Sequence, residues 1–279
     1  MTRHFQIVDV FGSGAFSGNP VAVVHDADEM STDEMMAITR WMNLSETTFL
    51  LTPTNAKADY RLRIFTLRGE LPFAGHPTLG SCHAWLTAGG TPSGEGLVQE
   101  CGIGLVRLRG GERLSFAAPP LIRQGPVDEL FLQEVASVLG IEMNAIVDAH
   151  WVDNGPGWVG ILLSDRDSVL ALEPDVSRYA GQAGLDIGVV APHGSDGGVA
   201  FEVRAFFSND QNELVEDPVT GSLNASLAQW LIGSGRAPMS YIAAQGTALG
   251  RAGRIHVTSD GSDVWVGGST VTHVSGEIR

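Results

Sequence analysis

The chain is poor in cysteine and lysine and has no long hydrophobic run. Among its 279 residues are two cysteines, Cys82 and Cys101, too few for a disulfide framework or a cysteine-rich zinc site. Its one lysine, Lys57, lies in the polar stretch T-P-T-N-A-K-A-D, whereas a pyridoxal enzyme needs a lysine held in a pocket for its Schiff base. No apolar run approaches the ~20 residues that a membrane-spanning helix requires.

Basic residues are also scarce. The 32 acidic residues outnumber the 17 basic ones, and the formal net charge is −15. A surface this acidic repels phosphate backbones and anionic lipids, which argues against nucleic acid and membrane surfaces as partners. The first residues, M-T-R-H-F-Q-I-V-D-V, lead straight into an expected strand, so we expect no signal peptide and a cytoplasmic protein.

An internal repeat is the main organising feature. H-P-T-L-G-S at 76–81 and D-P-V-T-G-S at 217–222 share the frame x-P-x-x-G-S at an offset of 141 residues. The same ungapped offset pairs Arg63 with Arg204 and Phe65 with Phe206. We therefore predict a duplicated chain with an N-terminal lobe at 1–120 and a C-terminal lobe at 121–279, whose last strand returns to the first lobe.

Local patterns predict an α+β fold. Short apolar or alternating segments at 5–10, 20–24, 47–51 and 60–65 are typical of strands. Ser31 with Glu34 three residues later forms a capping box before a helix. A second helix is expected to begin near Pro77, with its counterpart near Pro218. We expect two similar lobes, each a curved sheet around a helix, with a cleft between them.

The repeat would aim two equivalent helix N-termini at that cleft, and such ends attract small anions because their first N–H groups lack intrahelical partners. At the duplicated position the two halves differ, since one has His76 and the other Asp217. These residue types could form an acid–base pair. The alternative is that Asp217 is only an N-cap and His76 an exposed loop residue.

Glu46 is the third candidate. It is a lone acid in L-S-E-T-T-F-L-L at the start of a strand, and the offset of 141 aligns it with Ile187, so that the carboxylate occurs in one half only. Burial there would favour its protonated form, as a proton-shuttling carboxyl group requires. A salt bridge to a residue such as Arg63 is the competing interpretation.

Other chemistries have weaker support. The eight histidines show no H-x-x-x-H or H-E-x-x-H spacing, so no metal is expected. G-S-G-A-F-S-G at 12–18 precedes a second strand and not a helix, which favours a hairpin over a dinucleotide loop. A racemase with one catalytic thiol per lobe is disfavoured because Cys82 aligns with Leu223 and Cys101 with no cysteine. No cofactor is therefore expected.

Several motifs together resemble the PhzF-like family of phenazine biosynthesis, which shares its fold with diaminopimelate epimerase. They are G-N-P-V-A-V-V, N-L-S-E-T-T-F-L, R-I-F-T…E-L-P-F-A-G-H-P-T-L-G-S, E-D-P-V-T-G-S and V-G-G-S-T-V-T. The resemblance runs from Val8 to about Glu277. It implies two pseudo-symmetric lobes, each a β-barrel-like sheet around a central helix, in a homodimer without a cofactor.

The resemblance also implies an activity, the isomerisation of a small cyclic dihydroaromatic acid by proton transfer. Glu46 matches the acid/base, and His76 and Asp217 match residues that orient the substrate where the epimerases have thiols. The matching substrate-binding positions are Asn19, Ser45, Gly75, Gly221 and Ser222.

Two other functions remain open from the sequence. One is a racemase or epimerase of an amino or imino acid, and the other is a non-catalytic protein that binds small acids or acts as a scaffold. Departures from the family pattern, such as Leu67 after R-I-F-T, leave the substrate open, because a fold does not determine its function.

Overall fold

A computed structural model describes residues 2–94, 96–179, 184–194, 198–208 and 213–279. The chain forms two compact units. Unit 1 is Met1–Ala117 with Trp265–Arg279, and unit 2 is Ala118–Val264. The units differ from the predicted lobes at 1–120 and 121–279 mainly because residues 265–279 belong with the N-terminal unit.

Unit 1 has ten strands and two helices among its described residues. In chain order they are β1 (Arg3–Val10), β2 (Asn19–Val24), α1 (Thr32–Met42), β3 (Glu46–Leu51), β4 (Tyr60–Phe65), β5 (Glu70–Leu71), α2 (Gly75–Thr87), β6 (Leu97–Cys101), β7 (Gly104–Arg109), β8 (Leu114–Ala117), β17 (Val264–Gly268) and β18 (Thr270–Ile278).

Unit 2 adds eight strands and three α-helices over its described part. They are β9 (Arg123–Pro126), α3 (Glu129–Leu139), β10 (Asp148–Asp153), β11 (Val159–Leu162), α4 (Arg166–Leu170), β12 (Asp186–Pro192), β13 (Phe201–Ser208), β14 (Leu214–Asp217), α5 (Gly221–Gly233), β15 (Ser240–Gln245) and β16 (Gly253–Ser259). Single 3₁₀ turns lie at Met143–Ala145, Val176–Arg178 and Thr247–Leu249.

The two units repeat one pattern of strand pairing. In unit 1, β2 runs parallel to β3, β3 antiparallel to β4, and β4 parallel to β6. In unit 2, β11 runs parallel to β12, β12 antiparallel to β13, and β13 parallel to β15. Helices α2 and α5 follow equivalent strands and have 13 residues each. The predicted α+β fold built by duplication is confirmed.

Short-range signals explain several boundaries. Helix α1 begins after Ser31, whose side chain accepts from the Glu34 N–H while the Glu34 carboxylate accepts from the Ser31 N–H. This reciprocal pair satisfies two N–H groups that the helix itself cannot bond. Strand β4 alternates buried and half-buried residues along its first four positions, as expected when one face packs on a core.

Helices α2 and α5 each pack closely on a strand at a glycine. The glycine belongs to the helix in unit 1 and to the strand in unit 2. A Cβ on Gly80 of α2 would come within 2.3 Å of Val21 Cγ1 on β2. In unit 2 the glycine is on the strand, where a Cβ on Gly188 would come within 2.2 Å of Leu223 Cδ1. Each helix therefore approaches its sheet only because one partner lacks a side chain.

The predicted offset of 141 holds for β4 and β13 but is wrong beyond them. Arg63 and Arg204 each bind a glutamate with two hydrogen bonds, and these are Glu70 and Glu216 respectively, at an offset of 146. Gly75 and Gly221, which begin α2 and α5, share that offset. The added residues fall between β13 and β14, so a comparison without gaps misaligns the helices.

This correction changes the equivalences of the site residues. His76 is the second residue of α2 and corresponds to Ser222, the second residue of α5. Asp217 ends β14 and corresponds to Leu71 at the end of β5. Pro77 is the third residue of α2 and so lies in its first turn, as predicted, whereas α5 begins at Gly221, three residues after Pro218.

Glu46 is not confined to one half of the repeat either. Thr47 pairs with Phe65, and Ile187 pairs with Phe206, the counterpart of Phe65. Glu46, one residue before Thr47, therefore corresponds to Asp186, and each acid is the first residue of its strand. Across the part of the chain that is described, no helix is both long and apolar enough to span a membrane.

Candidate active site

In unit 1 the carboxyl group of Glu46 lies beside the imidazole of His76. Glu46 begins β3 and His76 stands in the first turn of α2. Glu46 Oε2 is 3.4 Å from His76 Nε2, and their side chains are 14% and 3% exposed. The competing interpretation of Glu46 as a partner of Arg63 is not supported, because Arg63 forms its salt bridge with Glu70. The pairing of an acid with an imidazole brings two proton-transfer groups together.

Burial keeps His76 neutral. Loss of solvent lowers the pKa of His76 from 6.5 to about 3, and a hydrogen bond with the Pro20 backbone only partly opposes this effect. Its Nδ1 also lies 3.4 Å from Nδ2 of Asn19, a fully buried side chain. Near pH 7 the Glu46–His76 contact is therefore one between a carboxyl group and a neutral ring.

Helices α2 and α5 differ from the other three α-helices of the described residues in their N-terminal caps. Helices α1, α3 and α4 are capped by the side chains of Ser31, Asp128 and Asp165. Helices α2 and α5 follow Ala74 and Thr220, and neither residue provides a side-chain cap. Their first N–H groups are thus not taken up by a cap and are suited to receive an acid.

Unit 2 brings Asp217 next to the start of α5. Asp217 Oδ2 accepts a hydrogen bond of 2.6 Å from Thr220 Oγ1, and the Asp217 carbonyl accepts one of 3.1 Å from Gln245 Nε2. The N-cap residue of α5 is Thr220, so the interpretation of Asp217 as an N-cap is wrong. The interpretation of His76 as an exposed loop residue is also wrong, since His76 is 2% exposed.

Ser222 accepts hydrogen bonds from two residues that were not predicted from the sequence. Trp158 Nε1 donates to Ser222 Oγ at 3.2 Å, and Asn154 Nδ2 donates to the Ser222 carbonyl at 2.9 Å. Both belong to N-G-P-G-W, the segment just before β11, as G-N-P lies at the start of β2 in unit 1. A comparison of these two segments could have found them.

The remaining predicted residues are divided between the units. Gly75 is buried at the start of α2, and Ser45 is exposed next to Glu46. Unit 1 therefore groups Asn19, Glu46 and His76, while unit 2 groups Asp217 with Gly221 and Ser222.

The two cysteines are free thiols, Cys82 buried and Cys101 half-buried. Burial raises the pKa of Cys82 to about 12 and that of Cys101 above its ordinary value. Neither is a thiolate near neutral pH, which disfavours thiol catalysis. Within the described ranges, no three or more His, Cys, Asp or Glu side chains are placed to hold a metal ion.

Curated proteins of similar sequence include several named as isomerases. The chain is 31% identical to the trans-2,3-dihydro-3-hydroxyanthranilate isomerase of Pseudomonas chlororaphis over 99% of both chains. It is 39% identical to antisense-enhancing sequence 1 of Schizosaccharomyces pombe, also over 99% of both. The predicted class of enzyme, an isomerase, is confirmed at this level.

Solved structures and a family model agree with these relatives. A PhzF-family protein from Enterococcus faecalis matches all of both chains with a TM-score of 0.79 and 27% identity. A hydroxyproline epimerase from Agrobacterium vitis matches 99% of this chain and 92% of its own with a TM-score of 0.60 at 12% identity, which shows the shared fold alone. The model of the phenazine biosynthesis-like proteins matches residues 8–276. The chain therefore belongs to the PhzC-PhzF family of phenazine biosynthesis-like proteins.

Proposed function

We propose that this protein is a cofactor-independent isomerase that moves a proton, and with it a double bond, within a small cyclic carboxylic acid. The observation that carries the proposal is the carboxyl group of Glu46 held 3.4 Å from the neutral, buried imidazole of His76. The name of the Pseudomonas relatives makes trans-2,3-dihydro-3-hydroxyanthranilate the first substrate to test.

The reaction needs one group that takes a proton and returns it. The Glu46 carboxylate removes a proton from a ring carbon, and the electron pair of the broken C–H bond enters the conjugated system. The Glu46 carboxylic acid then protonates a different carbon of the same system, so that the double bond has moved and Glu46 is restored. The step involves no net gain or loss of atoms or electrons, and the proton held by the Glu46 carboxylic acid can exchange with solvent before it is returned.

His76 and Asn19 act on this carboxyl group and on the substrate. A neutral imidazole has both a donor and an acceptor nitrogen, so it can hydrogen-bond to Glu46 whether the Glu46 carboxyl group is ionised or protonated. Asn19, within 3.4 Å of the other ring nitrogen, limits rotation of the ring. We assign Gly75 and Ser45 to substrate contacts beside them, since Gly75 begins the uncapped helix α2 and Ser45 precedes Glu46.

In unit 2 we assign substrate binding to Gly221 and Ser222, and substrate orientation to Asp217. The support is the absence of a side-chain cap on α5, whose first N–H groups suit a carboxylate. Thr220 Oγ1 donates a hydrogen bond of 2.6 Å to Asp217 Oδ2, and this bond fixes the orientation of the carboxylate.

We further propose a cytoplasmic homodimer. Two free thiols are typical of a reducing compartment. Exposed large apolar side chains, among them Trp41 and Phe16 at 81% and 69% exposure, support association with a second copy. Light scattering on the purified protein gives the mass that tests this state.

Turnover of the dihydroaromatic acid in heavy water tests the reaction. The wild type should convert the acid and place deuterium at the newly protonated carbon, and Glu46→Gln should lose nearly all turnover while the acid still binds. Deuterium at a stereocentre of an amino or imino acid, with its inversion, would instead indicate a racemase. Binding of the acid without any spectral change over hours would indicate a non-catalytic protein. Wild-type turnover by Glu46→Gln would refute the mechanism.

A further inference from the structure

Two buried side chains around Ser222 have no part in the chemistry proposed above. Trp158 is 4% exposed and Asn154 is 3% exposed, and both hydrogen-bond to Ser222, at its hydroxyl and at its carbonyl. A phenylalanine would place an aromatic ring here, although a smaller one, without an N–H to satisfy. The indole at this position therefore indicates that its hydrogen bond matters.

The polarity of the Trp158–Ser222 contact is fixed by chemistry. An indole N–H can only donate, so Ser222 Oγ is the acceptor of this 3.2 Å hydrogen bond. The hydroxyl proton of Ser222 then has to point away from Trp158. A serine hydroxyl that would otherwise rotate freely is restricted to donating away from the indole, and donation from Trp158 strengthens its own donation.

Asn154 fixes the backbone that carries this hydroxyl. Its Nδ2 donates at 2.9 Å to the carbonyl of Ser222, the second residue of α5. Its Oδ1 is buried and finds no hydrogen-bond partner among the residues that the structure describes. Buried polar atoms usually have a hydrogen-bond partner, so the Asn154 Oδ1 beside Ser222 is an acceptor to which a ligand or a water can donate.

We propose that Trp158 is a positioning residue that commits the Ser222 hydroxyl to donate to the carboxylate of the acid substrate, with Asn154 holding the first turn of α5 in place. The inference rests on the proposed function for the identity of the ligand, an organic acid. What is new is a directed donor, the Ser222 hydroxyl, whose strength depends on Trp158, a residue that does not itself contact the acid.

A double-mutant cycle tests the coupling. Trp158→Phe should raise KM roughly threefold to tenfold, as expected for one neutral hydrogen bond, and should change kcat less than twofold. Ser222→Ala should raise KM by at least as much. In the Ser222→Ala background, Trp158→Phe should have no further effect, because the indole acts only through that hydroxyl.

Trp230→Phe is the matched control. Trp230 is also a buried tryptophan of unit 2, 7% exposed, and it stacks on His150 away from Ser222. Its substitution should leave KM unchanged, which separates the effect on Ser222 from a general effect of losing an indole. Trp158→His, which keeps an N–H, should recover part of the lost affinity and is the second variant if Trp158→Phe does not fold.

Binding of anthranilate, measured by calorimetry, separates this proposal from the proposed function. Suppose that Trp158→Phe raises Kd in the wild-type background but not in Ser222→Ala, and that the wild type turns over no acid. This result would support the directed donor and refute the proposal of an isomerase. If Trp158→Phe weakened anthranilate binding equally with and without the Ser222 hydroxyl, the proposal of a directed donor would be overturned, whatever the turnover of the wild type. An unchanged Kd in Trp158→Phe would overturn it as well.

Discussion

Units 1 and 2 share a pattern of strand pairing and differ in the polar residues at equivalent positions. The equivalent strands β3 and β12 begin with Glu46 in unit 1 and Asp186 in unit 2, and the equivalent helices α2 and α5 have His76 and Ser222 as their second residues. Unit 1 thus pairs an acid with an imidazole, whereas unit 2 has a hydroxyl held by an indole. The two halves therefore share a frame and carry different polar groups, to which we have assigned proton transfer in unit 1 and substrate binding in unit 2.

The structural parts of the repeat changed less. Each unit keeps an arginine bound to a glutamate through two hydrogen bonds and stacked over a phenylalanine at about 5 Å. The arrangement therefore serves the fold, since it is present in both halves irrespective of their polar residues. The two arginine–glutamate pairs differ in burial, however, and the effect of this difference on the free energy of unfolding can be measured.

The largest expected effect concerns the two equivalent acids. Glu46→Gln should lower kcat by roughly 10³-fold, the usual contribution of a group that transfers protons. Asp186→Asn, the same change at the equivalent position, should lower kcat less than threefold, because no imidazole stands at residue 222. Steady-state kinetics on both variants decide this, and equal losses would mean that the units share the chemistry.

The second effect compares the two arginines by their burial. Arg204 and Glu216 have side-chain exposures of 7% and 10%, and Arg204 also donates to the carbonyls of Val169 and Leu172. Arg204→Met leaves these groups buried without a partner and should lower the free energy of unfolding by about 3–5 kcal/mol.

Arg63→Met is the control for Arg204→Met. Its partner Glu70 is 41% exposed, so water can replace the arginine and the loss should stay below about 1 kcal/mol. Urea denaturation of both variants measures the difference. Similar losses would show that burial does not distinguish the two pairs.

The third effect is a pH dependence confined to unit 1. The pKa of His76 is lowered by burial from 6.5 to about 3, so between these values the unfolded chain binds a proton at this residue that the folded chain does not. The free energy of unfolding should therefore fall as the pH falls below 6.5, by up to about 1.4 kcal/mol per pH unit.

Urea denaturation at pH 7, 6 and 5 measures this slope. His76→Gln, which cannot titrate, should show a flatter dependence than the wild type. Ser222→Ala, at the equivalent position of unit 2, should keep the slope of the wild type. A slope unchanged in His76→Gln would show that another group is responsible.

Much of the fold was predictable because its signals are local. The alternation at 60–65 gave the bounds of β4 as the structure has them, and Ser31 with Glu34 marked the start of α1. The offset of 141 failed in the helices because register depends on pairing between distant strands and on a longer connection after β13. The shared frame of E-L-P-F-A-G at 70–75 and E-D-P-V-T-G at 216–221 carries the correct offset of 146.

The candidate site was predictable to a similar extent. Glu46, His76 and Asn19 were identified from motifs, and the structure brings them together. Trp158 and Asn154 were missed because their role depends on contacts with Ser222, more than 60 positions along the chain. Composition and spacing describe which groups are present, but contacts between distant segments depend on the tertiary fold.

The smallest expected effect concerns the caps. Ala74 has the extended backbone of an N-cap residue but no side-chain oxygen, and the third residue of α2, Pro77, has no N–H. In Ala74→Ser the new hydroxyl can accept only from the N–H of His76 in this turn, one of the uncapped N–H groups at the start of α2 that are suited to receive an acid. KM for the acid should rise about twofold to fivefold, while the melting temperature stays equal or rises slightly because a cap has been added. Ser31→Ala, which removes the cap of α1, should do the reverse, with an unchanged KM and about 1 kcal/mol less stability. An unchanged KM in Ala74→Ser would mean that the start of α2 does not hold the acid, and the binding role would then rest on α5 alone.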